Sequence, residues 1–131
     1  MEFDQQKFDE LVDEAWKAIP KHFKDEIENV SILIEPDPTG EQLGRVKIRG
    51  LLLGLFEGVP KTAWGQTFTG VRPCKITLFR NTILQVCKGI RELRITIHVV
   101  LMHEIAHYFG FNEQDMFVMD RKMRARLSRE F

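Results

Sequence analysis

Two histidines four residues apart, His103 and His107, stand within the most apolar stretch of the chain, Val99-Val100-Leu101-Met102 and Ile105-Ala106. On a helix of 3.6 residues per turn they lie about 40° apart on one face, so both imidazoles can reach a single metal ion. Glu104 follows the first histidine and flanks the pair, where it can take a proton from a water held on that metal. The apolar neighbours predict burial, and unpaired charge there costs on the order of several kcal/mol per group, a cost that a bound metal removes. Gly110 suits a left-handed helix stop that returns the chain and brings a third ligand, Glu113, toward the metal. The full spacing is H-E-x-x-H-x-x-G-x-x-E over residues 103–113.

This motif resembles that of the zincin metallopeptidases, and its glycine and sixth-residue ligand are similar to the metzincin pattern H-E-x-x-H-x-x-G-x-x-[HD]. The small size, the segment Leu53-Gly54-Leu55-Phe56-Glu57-Gly58-Val59-Pro60, the strand Ile76-Thr77-Leu78-Phe79-Arg80 and the core H-E-I-A-H-Y-F-G resemble more closely the minimal bacterial zincin-like metallopeptidases, a family of short cytosolic domains. The resemblance covers roughly residues 50–115. The chain departs from the metzincin pattern in carrying Glu113 where that branch has His or Asp, and in having no clear Met-turn, since Met116 and Met119 fall in a helical segment.

The resemblance implies an α+β fold, a zincin-like minimal domain in which a small mixed sheet packs on a long metal-binding helix between N- and C-terminal helices. It implies Zn2+ as cofactor, His103, His107 and Glu113 as ligands, and Glu104 as the catalytic base of peptide-bond hydrolysis. Three protein ligands leave one position for water, as catalytic rather than structural zinc requires. Asn112 and Asp115 compete with Glu113. If a helix restarts near 113, residue 115 projects about 200° away, so only one of the two acids faces the metal. A cleft-rim strand would hold an extended peptide or protein substrate by main-chain pairing. Leu51–Glu57 is the first candidate for that strand and Ile76–Arg80 the second. The readings left beside a metalloendopeptidase are a regulatory protease resembling those that cleave repressors, and a catalytically silent metal-binding or interaction domain. Tyr108 reads as core rather than as an oxyanion donor. His98 is turned about 140° from His103 and reads as surface or hydrogen-bonded.

At 131 residues the chain has one domain's worth of length, 1–131. Nineteen basic against nineteen acidic residues give no argument for nucleic acid or an anionic membrane as partner. No signal-like or membrane-spanning segment is evident, which predicts a cytoplasmic protein. Cys74 and Cys87 match no metal or redox spacing and read as reduced structural thiols.

Along the chain, an apolar stripe through Phe8, Leu11, Val12, Ala15, Trp16 and Ile19 predicts a helix over 4–19, with Asp4 as N-cap, Phe3 and Phe8 as a staple and Pro20 as terminator. Strands are expected at Val30–Glu35, Arg45–Arg49, Leu51–Phe56 and Cys74–Arg80, with Gly50 as a bulge, a loop over 36–40, a turn at Gly58-Val59-Pro60 and an irregular segment from Lys61 to Pro73. The β-branched run 94–100 favours a strand by propensity. Shared metal ligation by His103 and His107 nevertheless requires a helix from Arg91 to Phe109. A basic final helix runs from Glu113 to Leu127, its charge offset by the acidic first helix.

Overall fold

The computed structural model describes residues 4–45, 52–60 and 73–131. Helix α1 (Gln5–Ala18) is capped by Asp4, whose carboxylate accepts the Gln6 N–H at 2.9 Å. Its buried face is Phe8, Leu11, Val12 and Ala15, as the stripe predicts. Ile19 has extended backbone, φ −61° and ψ 130°, because the ring of Pro20 disfavours helical geometry at the preceding residue. The expected staple involves Phe3, which lies outside the described residues. A single turn, α2 (Lys21–Lys24), leads into strand β1 (Val30–Glu35).

The next segment corrects the sequence reading, since residues 40–45 form helix α3 (Gly40–Arg45) and Arg45 closes a helix instead of opening a strand. The cause is a capping box. Gln42 N–H donates to the Thr39 hydroxyl at 3.1 Å and Thr39 N–H donates to the Gln42 side chain at 2.8 Å. The rest of the predicted strand, 46–49, and Gly50 and Leu51 lie outside the described residues, as does 61–72.

Strand β2 (Gly54–Glu57) pairs antiparallel with β3 (Cys74–Phe79), and β1 pairs parallel with β3 on its other side. The order β1-β3-β2 makes β3 the central strand. That removes the second rim candidate, Ile76–Arg80, because both edges of β3 are occupied by neighbours. Arg80 itself begins helix α4 (Arg80–Val86) rather than ending the strand.

Helix α5 (Ile90–Phe109) contains the stretch whose β-branched residues favour a strand. Packing overrides that preference. From Leu93 to Tyr108 all but Arg94, His103 and His107 are buried, against α1, α4, the sheet and the final helix α6 (Glu113–Glu130). Gly110 stops α5 in the left-handed region, φ 81° and ψ 23°, with the Phe111 N–H bonded to the Ala106 carbonyl at 3.1 Å. The chain then returns as α6, antiparallel along α5, so that Leu127 packs on Ile95 and Val99. The observed layout is therefore the expected one, a small mixed sheet on a long helix with helices at both ends.

Tyr108 is fully buried, and its hydroxyl accepts the Glu28 N–H at 3.0 Å and donates to the Glu28 carbonyl at 3.3 Å. It thus ties α5 to the start of β1 and faces away from oxyanion chemistry. Tyr108→Phe keeps the ring and strands both groups of Glu28, so urea denaturation should show a loss of about 1–2 kcal/mol.

Candidate metal centre

The expected histidines come together on α5. Their ring centroids are 4.9 Å apart, and one donor atom from each of His103, Glu104 and His107 lies within 4.8 Å of the others. Both histidines are half-buried and open to a cleft of about 630 Å³ between α5, α6 and the segment 52–56. Glu113 lines this cleft, though its carboxylate is not one of the three clustered donors. Asp115 lines a different groove, between α1, α5 and α6. Asn112 is occupied as the N-cap of α6, its side chain accepting the Asp115 N–H at 2.8 Å. Of the three competing residues, only Glu113 lines the cleft that holds the histidines.

One partner of the site was not legible in the motif. Asp120 Oδ2 lies 2.7 Å from His103 Nδ1. A carboxylate there accepts a hydrogen bond from Nδ1–H, fixes that tautomer and leaves the His103 Nε2 lone pair free to ligate. This bond raises the His103 pKa above the ordinary value, against the opposing effect of burial. His107 lacks such a partner among the described residues, and burial followed by the charge of His103 lowers its pKa. Asp120 follows Glu113 by seven residues, two helical turns, so the sequence could have placed both acids on one face of α6.

Glu104 is the third group, 6% exposed, with Oε1 4.0 Å from His107 Nε2. Burial raises its pKa to about 7, opposed by the positive charge of His103 and by the Phe56 backbone N–H. Gly54 permits the strand to come this close. A Cβ at that position would sit 2.8 Å from Val100 Cγ1 and 3.3 Å from Glu104 Cγ. A glycine inside an apolar run is the sequence sign of a close backbone approach.

His98 is placed elsewhere. It is buried, not on the surface, with Nδ1 2.8 Å from the Arg94 carbonyl and its ring against Phe131. Cys74 and Cys87 are buried thiols outside any disulfide, and burial pushes their pKa values up.

The donor set fits a divalent cation. Two imidazoles and a carboxyl group converge, and Asp120 Oδ1 is buried without a hydrogen-bond partner among the described residues. Glu113 and Asp120 add acidic oxygens to the histidine end of the same cleft, where a cation would offset them.

A helix bearing a His-Glu-His group beneath the edge strand of a small mixed sheet defines a recognisable class. The model of the zincin-like metallopeptidases matches residues 27–122, and the chain belongs to that family. A solved structure of a conserved hypothetical protein from T. thermophilus superposes with a TM-score of 0.55 at 22% identity, covering 82% of this chain and 94% of that one. Its likeness is one of fold. No curated protein matches the chain.

The geometry makes two testable predictions. In a chelator-competition titration, Glu113→Ala and Asp120→Asn should each weaken zinc binding by about tenfold or more, whereas Asp115→Ala should leave it nearly unchanged. Equal losses for Glu113 and Asp115 would contradict the placement of the two acids. The second concerns the metal-free protein. Glu104 in the unfolded chain loses its proton near 4.5, while the folded protein retains it up to about 7. Between those values the folded state binds more protons, so this group makes stability fall as pH rises, levelling off above pH 7. Metal-free Glu104→Gln should therefore match the parent near pH 4.5 and exceed it by on the order of 2–3 kcal/mol at pH 8 in urea titrations.

Proposed function

We propose that the protein is a zinc-dependent endopeptidase acting on extended peptide segments. The observation that carries this reading is the placement of Glu104, a buried carboxylate beside two converging imidazoles and under the edge strand β2. His103, His107 and Glu113 would hold the ion. Bound zinc supplies Lewis acidity, polarising the scissile carbonyl and acidifying water so that a nucleophile exists near neutral pH.

The chain's own residues would do the rest. Glu104 takes a proton from the attacking water as its oxygen bonds to the carbonyl carbon, and passes that proton to the departing amine as the C–N bond breaks. In the metal-free protein burial raises the Glu104 pKa, and a cation bound beside it would oppose that shift and favour the carboxylate form that accepts the proton. Asp120 keeps the His103 ring in one orientation through the reaction. Among the described residues β2 is paired on one side only, so its outer edge would offer backbone groups to a substrate chain, and Leu52 to Phe56 would supply an apolar floor. Buried thiols outside any disulfide at Cys74 and Cys87 suit a reducing, cytoplasmic setting.

The test is a fluorogenic peptide library with the zinc-loaded protein and its Glu104→Gln variant. The variant should retain zinc and lose at least about a hundredfold in kcat/KM, in line with general-base contributions. Equal rates would assign the activity to a contaminant. Tight zinc binding with no hydrolysis of any peptide would leave a metal-binding interaction domain.

A further inference from the structure

We infer that Arg121 and Arg124 form a specificity subsite for an acidic side chain two to three residues beyond the scissile bond, on its C-terminal side. The inference rests on the peptidase reading above.

The face of α6 turned to the cleft is Glu113, Phe117, Asp120, Arg121 and Arg124, at spacings of four, seven, eight and eleven residues. On an ordinary amphipathic helix such a stripe is apolar. Here the packing positions are others, Met116, Met119, Met123 and Leu127, so burial does not account for the charges. They are also segregated, with both acids at the metal end and both arginines beyond it. Neither arginine has an ion-pair partner among the described residues. Acids of the first helix pair elsewhere, Glu10 with Lys7, Asp13 with Lys17 and Glu14 with Arg94 of α5. Arg121 lies over the Phe117 ring at 5.7 Å, which holds its guanidinium at the cleft wall.

Position follows from helix geometry. Measured from the midpoint between Glu113 and Asp120, which flank the histidines, Arg121 and Arg124 lie about 7 and 11 Å along α6 at 1.5 Å per residue. An extended substrate covers about 3.3 Å per residue, so these distances correspond to two and three residues.

Direction follows from β2. Gly54 abuts Val100 and Glu104, and Phe56 abuts Tyr108, so β2 and α5 run the same way, with Leu52 and Leu53 at the end toward Val99. Since α6 is antiparallel to α5, Arg124 stands at that same end. A peptide added antiparallel to β2, the more stable pairing, points its C-terminal half there. Guanidinium groups then meet a carboxylate with a matching fork of donors.

The test uses zinc-loaded protein and C-terminally amidated peptides of one core sequence, varied to Glu, Gln or Lys at the second and third positions after the cleaved bond. Parent protein should prefer Glu to Gln by about fivefold in kcat/KM at low ionic strength, less in high salt, and should disfavour Lys. The double variant R121E/R124E should prefer Lys to Glu. Equal rates for Glu and Gln in the parent, or a Glu preference that survives the charge reversal, would overturn the subsite while leaving the peptidase reading intact. If no peptide is cleaved, that reading fails, and fluorescence anisotropy of the labelled peptides on the zinc-loaded parent decides the subsite alone. Tighter binding of the Glu peptide, reversed in R121E/R124E, would support it, and equal affinities would refute it.

Discussion

A helix enclosed on most sides must neutralise, pair or expose every polar group it carries, and α5 carries three within five residues. The structure meets this constraint in three ways. His103 is paired with Asp120 across the helix hairpin. His107 is left at the half-open cleft with its pKa depressed by burial. Glu104 is pressed under β2, where desolvation favours its neutral form. Each solution fixes another element. The first sets the register of α6 on α5, the second keeps the cleft open, and the third requires a glycine in the strand above. The site is thus where three packing decisions meet.

Much of this could be read from the residues, for a chemical reason rather than a statistical one. The run 94–100 has strand propensity, and only the requirement that two imidazoles reach one ion argues for a helix there. Gly110 was legible because a left-handed stop favours glycine. The α1 stripe was legible because all its apolar residues share one face. Other features depend on partners distant in sequence. The order β1-β3-β2, and with it the rejection of Ile76–Arg80 as a rim, arises from a pairing that no local pattern specifies. Asp120 becomes meaningful only once α6 is known to fold back along α5. The helix α3 is a different case, because the capping box of Thr39 and Gln42 is present in the sequence but is overshadowed by the alternating residues that follow it.

The division of labour between helices also explains why the two competing acids separate so cleanly. Asn112 starts α6 as its cap, and the packing of Met116, Met119, Met123 and Leu127 on the core sets the rotation of the helix. Once that rotation is set, Glu113 and Asp120 must face the cleft that holds α5's histidines and Asp115 must face the groove beside α1. The packing of that apolar face, together with the His103–Asp120 pair, therefore selects which carboxylate is presented to the cleft.

The turn at Gly110 has a thermodynamic consequence. The groups lining the cleft are divided across it, His103 and His107 before and Glu113 and Asp120 after, so an ion held by both sides would close the α5–α6 hairpin as a clasp. Any affinity measured for that ion then contains the free energy of seating α6, and seating α6 from its far end strengthens the affinity in turn. The contacts of Leu127, Ser128 and Phe131 with α5, remote from the cleft, belong to the same cooperative unit as the metal.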